Sequence, residues 1–289
     1  MFLLGGLITY ILLLYPLTLA NLADDDKFKV VSGFNAELKD VPYQASVRLI
    51  WRERKRLGSG HFCGGTVISS RVVVTAAHCL SYSIRPSDLV VVLGNRLLNA
   101  VSPTMRMFQI VGWRIHQQYY KHHIDIALIF TSHDIRPIAG AIAFLPLNTR
   151  AVPEGTSCLV SGWGRTVHNV SGHTNALQAA WIPIGNPEHC TELYKSTDVI
   201  CAGFTSMVGS SSCKGDSGGP LRCDNELAGI VSRGIHCGTR HRPSAYTSIR
   251  YHARWIQQQS QSFNGVLPLR STCIQGQVGL AFIIYVTTR

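Results

Sequence analysis

Acidic residues are scarce in this chain, with 16 Asp and Glu against 27 Lys and Arg over 289 residues, a formal charge of +11. Charged residues of both signs make up only 15% of the chain, which excludes the highly charged composition of disordered chains and long coiled coils. No internal repeat is visible, which excludes a solenoid. Between Asp88 and Asp125 there is neither Asp nor Glu, so that stretch lacks the carboxylates a calcium loop requires, and no calcium is expected there. Long apolar runs are missing beyond the N-terminal leader. The run Val278 to Val286 is nine residues broken by Gly279, whereas a spanning helix needs about 20. A packed or poorly ordered tail is the plainer reading of that stretch. The basic excess raises nucleic-acid binding. However, the cations are scattered apart from Trp51-Arg52-Glu53-Arg54-Lys55-Arg56, which Glu53 interrupts and Gly58-Ser59-Gly60 follows. That run reads as a solvated hairpin tip, and no recognition module accompanies it. Attraction to acidic substrates is the softer alternative.

Residues 1–20 are almost wholly apolar, with small residues at Thr18, Ala20 and Ala23. They read as a secretory signal covering 1–23. No Lys or Arg precedes the run, so a retained membrane anchor stays open as the alternative. Nine cysteines fit a secreted chain that keeps disulfides, and the odd count leaves at least one without an intramolecular partner. The body is made of short β-branched or apolar runs, among them 71–75, 89–93, 108–111, 126–130, 158–161, 227–232 and 245–249. Gly, Pro, Asn and Ser clusters separate them, which predicts an antiparallel all-β sandwich or barrel rather than βαβ units. The segment Asn148–Gly155 reads as a linker between two halves, and Tyr251–Gln257 as a late helix.

Three local frames carry chemistry. Gly215-Asp216-Ser217-Gly218-Gly219-Pro220 sets a serine among glycines. An ordinary turn has this composition too. But Gly215 permits a conformation in which its own N–H and that of Ser217 converge, as an oxyanion site requires. Thr75-Ala76-Ala77-His78-Cys79 sets one of twelve histidines beside a cysteine. His122-His123-Ile124-Asp125 places an aspartate before an apolar strand, where it serves either as a cap or as the acceptor for a histidine ring. His122 and His123 are also possible zinc ligands, but no HExxH pattern accompanies them.

Taken together, in the order His78, Asp125, Ser217, these frames resemble the chymotrypsin/trypsin family of serine endopeptidases. The resemblance covers about residues 30–259 and extends to Ser161-Gly162-Trp163-Gly164, Cys201-Ala202-Gly203-Phe204, the 212–221 block and Trp255-Ile256-Gln257. It implies two antiparallel six-stranded β-barrels, about 30–147 and 148–249, with the site in the cleft between them and a short C-terminal helix. It implies Ser217 as nucleophile, His78 as general base and acid, Asp125 as its orienting partner, and Gly215 and Ser217 as oxyanion donors. It also implies the disulfides Cys63–Cys79, Cys158–Cys223, Cys190–Cys201 and Cys213–Cys237, leaving Cys273 without a family counterpart.

Residues 24–29 would be an activation peptide, cut after Lys29 so that the Val30 amine pairs with a buried Asp216. The run Asp24-Asp25-Asp26-Lys27 resembles an enteropeptidase site, although a cut there would leave Phe28-Lys29 attached. The pocket floor is Ser211 where trypsin-like members carry Asp, which points to a chymotrypsin-like preference for medium apolar or aromatic P1 residues. Gly234, Ser244, Lys214 and Arg233 would shape the pocket and its lip. Asn169-Val170-Ser171 is a glycosylation sequon. The expected product is a secreted, extracellular, monomeric enzyme without cofactor or metal. Its partners would be protein or peptide substrates, an activating protease and protein inhibitors, with no nucleic acid and no membrane. A catalytically silent homologue acting as a binding module is the competing class, and the intact triad argues against it. Residues 260–289 are left as an extension of unknown role.

Overall fold

The computed structural model describes residues 33–80, 84–164, 173–203, 215–233 and 243–266. Six strands form a closed antiparallel barrel: β2 (Gln44–Leu49), β3 (His61–Val67), β4 (Val72–Thr75), β5 (Leu89–Leu93), β6 (Arg106–Ile115) and β7 (Ala127–Thr131), in the order β2-β3-β4-β7-β6-β5. The valine-rich runs of β4 and β5 and the apolar run of β7 are buried along their whole lengths. β-branched side chains pack well on a pleated surface with no water on either face. In β6 the pattern alternates, with Phe108 and Ile110 inside and Met107, Gln109 and Val111 exposed, as the two-residue period of a strand dictates. Closure leaves no free edge in this half.

The second half is a seven-stranded antiparallel sheet. Its strands are β1 (Phe34–Asn35), β8 (Ser157–Gly162), β9 (Gln178–Pro183), β10 (Val199–Ala202), β11 (Pro220–Cys223), β12 (Glu226–Arg233) and β13 (Ser244–Ser248), in the order β1-β9-β8-β11-β12-β13-β10. The sheet curls until β10 meets the end of β9. Ile184 bridges Ala202, and Gly185 N–H and Gly203 N–H donate to Cys201 O and Pro183 O at 2.8 and 3.0 Å. Six strands thus form the second ring, and β1 adds to the outer edge of β9. Asp224 and Asn225 make the β11–β12 turn with φ of 47° and 60°, the left-handed pair that suits a two-residue hairpin.

Two stretches differ from the sequence expectations. The cationic run after β2 is a helix, α1 (Ile50–Lys55), rather than a hairpin tip, and Glu53 turns inward to meet Arg48 at 2.6 Å. Segment 148–155 runs between β7 and β8, and its first residue is held by the second sheet, since Asn148 N–H donates to Leu227 O at 3.0 Å and its side chain to Glu226 at 2.9 Å. The last helix, α4 (Ile249–Val266), extends past residue 259. The Phe263 ring stacks on Phe130 of β7 at 3.7 Å between centroids, so residues up to 263 of the expected tail pack on the first barrel. Two further helices are α2 (Tyr119–His122) and α3 (Pro187–Tyr194). Disulfides join Cys63 to Cys79, Cys158 to Cys223 and Cys190 to Cys201. No described helix is long and apolar enough to cross a membrane.

Candidate active site

Thr75, the last residue of β4, pairs with Ala127, the first of β7. This register brings the segments flanking both strands to one end of the barrel. After Thr75 the chain turns through a 3-10 turn, Ala77–Cys79, that carries His78. Before Ala127, His123 sits in a left-handed conformation (φ 56°) that ends α2 and directs Asp125 inward. The two meet twice: His78 N–H donates to Asp125 Oδ1 at 2.9 Å, and the His78 ring Nδ1 lies 2.8 Å from Oδ2. The Cys63–Cys79 disulfide ties this turn to β3.

Asp125 is buried, its side chain 6% exposed against 35% for His78. The second sheet closes over it. Ser232 of β12 donates its hydroxyl to Oδ2 at 2.5 Å, and Thr247 of β13 donates to the Asp125 carbonyl at 2.9 Å. Burial alone would push the carboxyl up, but the His78 ring bond and charge, Ser232 and the His78 backbone outweigh it and hold it below the ordinary carboxylate value. An ionised carboxylate accepts only, so His78 holds a proton on Nδ1, and the neutral form of the ring presents its lone pair on Nε2.

Ser217 reaches this corner through its backbone. Gly64 N–H of β3 donates to the Ser217 carbonyl at 2.8 Å, and the disulfide sulfur of Cys79 lies 3.8 Å from the same oxygen. Gly218, at φ 80°, packs so closely that a Cβ there would strike Thr75 Oγ1 and come within 2.7 Å of the Gly64 carbonyl. Its N–H donates to Val231 O of β12 at 2.8 Å. The glycines around Ser217 are therefore what let the loop press against the turn that holds His78.

Asp216 is 5% exposed and accepts from Gly164 N–H at 2.7 Å. A Cβ on Gly162 or Gly164 would fall on its carboxylate oxygens, which explains the small residues of Ser161-Gly162-Trp163-Gly164. Gly215 adopts φ 105° and has the His173 ring against it.

His78 and Asp125 are thus brought into contact, and the Ser217 backbone against the adjoining turn. Arg233 is exposed at the end of β12, and Ser244 is buried at the start of β13, opposite Ala202. Lys29, Val30, Asn169, Ser211, Cys213, Lys214, Gly234, Cys237 and Cys273 lie outside the described residues. His122 and His123 are exposed. Among the described residues one group brings three ligand-type atoms together, Cys63, His78 and Cys79, and the disulfide removes both sulfurs as thiolate ligands. Sequence reasoning missed Ser232 and Thr247, which lie more than a hundred residues from Asp125 and carry no motif of their own.

Comparison with known proteins decides the family. The family model for Trypsin matches residues 30–256. The chain belongs to the trypsin family. It is accordingly a serine endopeptidase, a hydrolase. Trypsin of Xenopus laevis is 34% identical over 248 residues, covering 84% of this chain and 95% of that one. Trypsin I-P1 of Gallus gallus is 34% identical, covering 83% and 93%, and Serine protease 1 of Homo sapiens is 32% identical, covering 81% and 90%. In this trypsin-family chain the Asp125–His78 pair joins the two halves, since first-barrel residues form it and second-sheet hydroxyls lock it.

Proposed function

We propose that this chain is a secreted zymogen whose active form cuts peptide bonds with Ser217, His78 and Asp125. The observation that carries the proposal is the ionised, buried Asp125 bonded to His78 Nδ1, because it leaves the basic nitrogen of a partly exposed ring for a neighbouring hydroxyl.

Ser217 Oγ attacks the carbonyl carbon as its proton passes to His78 Nε2, and the carbonyl π pair moves onto oxygen. The N–H groups of Gly215 and Ser217 receive that oxyanion. Collapse re-forms the carbonyl and breaks the C–N bond, and His78 gives its proton to the leaving amine. Water then repeats the cycle on the acyl-enzyme and frees Ser217. Asp125 stays ionised throughout and stabilises the imidazolium. Two preorganised donors are worth much here, since removal of one typically lowers turnover by roughly 10²–10³.

Cleavage after Lys29 frees the Val30 amine to pair with Asp216. The support for this is a carboxylate already buried beside Gly164 N–H. Breaking such a buried pair costs about 3–5 kcal/mol, enough to disorder the adjoining loop. Ser211 in place of a pocket-floor Asp favours medium apolar or aromatic P1 residues over strictly basic ones, although two of the three relatives above carry the name trypsin. Proteins and peptides are the substrates, and an activating protease and protein inhibitors the partners.

The test is hydrolysis of a peptide library by the precursor before and after a Lys-specific cut at Lys29, with Ser217→Ala as control. Cleavage only after the cut, absent in the variant and favouring Phe, Tyr or Leu at P1, is the expected result. No turnover with a correctly freed Val30 overturns the proposal in favour of a silent binding homologue.

A further inference from the structure

A buried chain of hydrogen bonds runs from α1 to the loop that carries Ser217. The Arg48 guanidinium donates from Nη1 to Glu53 Oε1 at 2.6 Å and from Nε to Ser46 Oγ at 2.8 Å. Ser46 Oγ lies 2.8 Å from His61 Nδ1, and His61 Nε2 lies 3.2 Å from the Gly215 carbonyl. Each link has one possible sense. A guanidinium only donates, so Ser46 accepts from it, and at the other end the Gly215 carbonyl only accepts, so His61 carries its proton on Nε2. The lone pair of the neutral ring is then on Nδ1, and Ser46 donates its single proton to it.

The charge behind the chain is unusual. The Arg48 side chain is 1% exposed, and Glu53, at 6%, is its counter-ion. An isolated buried guanidinium would be costly, so the arginine depends on Glu53. Glu53 in turn accepts from Gly58 N–H at 2.9 Å and Gly60 N–H at 3.2 Å, which fixes the turn that leads into β3 and His61. The acid that interrupts the cationic run is thus a buried partner and not a solvated charge.

We infer that Arg48 and Glu53 are positioning residues for Gly215, acting through Ser46 and His61. The inference rests on the reading of Gly215 as an oxyanion donor. Gly215 lacks a Cβ and sits at φ 105°, so its backbone is not confined by its own side chain. The His61 bond supplies the missing confinement, because turning the Gly215 carbonyl away would break it and leave a buried ring N–H unpaired. Burial first, then His173 and Arg48, lower the His61 pKa to about 3, so the ring remains the neutral link the chain needs at working pH.

The experiment compares activated full-length protein with Arg48→Met/Glu53→Leu, Ser46→Ala and the triple variant. Replacing both charges by apolar groups of similar length avoids stranding either one. Ser46→Ala, which removes a hydroxyl and no charge, carries the test alone if the double variant does not fold. The readouts are kcat, KM and affinity for a peptide aldehyde, whose adduct with Ser217 bears the oxyanion, against its non-covalent alcohol. Expected for each variant is a fall in kcat and aldehyde affinity of about tenfold, below the roughly 10²–10³ of a lost donor, with KM and alcohol affinity held. The triple variant should be no worse than either parent, as a serial chain requires. Unchanged kcat and aldehyde affinity, or losses that multiply in the triple variant, overturn the inference. The oxyanion reading is checked separately in the unmutated protein: it fails if the aldehyde binds no tighter than the alcohol.

Discussion

Two histidine–aspartate pairs lie in different parts of this molecule with nearly the same bond. His78 and Asp125 meet at 2.8 Å where the two halves join, and His252 and Asp198 meet at 3.0 Å where α4 passes the segment leading into β10. In both, burial alone would raise the carboxyl, and the histidine and a serine hydroxyl outweigh it, Ser232 in one and Ser196 in the other. The environment of the ring differs. His78 is 35% exposed beside the glycine loop of Ser217, whereas His252 is 7% exposed and packs edge-on against His116, which in turn packs on Trp255. A histidine–carboxylate bond is therefore not by itself a catalytic signal. It becomes one where the second ring nitrogen can reach a substrate and a nucleophile.

The largest expected difference lies in turnover. Asp125→Asn should lower kcat by about 10⁴, because an amide no longer holds Nδ1–H and the ring turns to the wrong tautomer. Asp198→Asn should leave kcat near that of the unmutated protein, and steady-state kinetics on activated protein separates the two. A comparable fall in both variants would erase the distinction.

In stability the order reverses for Asp198. Its loss takes a charge-assisted bond from a nearly closed histidine, a cost of about 1–3 kcal/mol. Chemical denaturation of the precursor measures that shift, and no change in the midpoint would show the pair to be idle. The carboxyl is held low, so its contribution is present above the unfolded value of about 3.9 and fades as pH falls through the folded one. The gap between Asp198→Asn and the unmutated protein should accordingly close on acidification below about pH 4.

The smallest effect concerns His116, whose pKa burial, with His252 beside it, lowers to about 4. Here the unfolded chain takes a proton that the folded chain refuses. Stability is then lost as pH falls from about 6.5 toward 4, the opposite side of the carboxylate window. His116→Gln should flatten that part of a melting-temperature profile, while an unchanged slope would assign the acid loss elsewhere, with His61 the next candidate.

Much of this was legible in the sequence. The strands announce themselves because Val72–Thr75, Leu89–Leu93 and Ala127–Thr131 are apolar on both faces, and the frames of His78, Asp125 and Ser217 are distinctive at short range. What failed to show are contacts whose two sides lie far apart in the chain. Ser232 reaches Asp125 across 107 residues, and a serine inside an apolar strand leaves no periodic trace. Glu53 looked like a charge among charges because its partner Arg48 lies within a strand whose burial the sequence does not announce. The end of α4 was missed because Ser260, Ser262 and Asn264 are poor helix formers, and the stacking of Phe263 on Phe130 joins positions far apart in the chain.

The most direct test is labelling by an organophosphonyl fluoride, which requires a nucleophile already activated by its base. On protein cut after Lys29, mass spectrometry should find one adduct, on Ser217. It should form as fast in Asp198→Asn as in the unmutated chain and orders of magnitude more slowly in Asp125→Asn. Equal rates in all three, or an adduct elsewhere than Ser217, would contradict the assignment of His78, Asp125 and Ser217 as one catalytic unit.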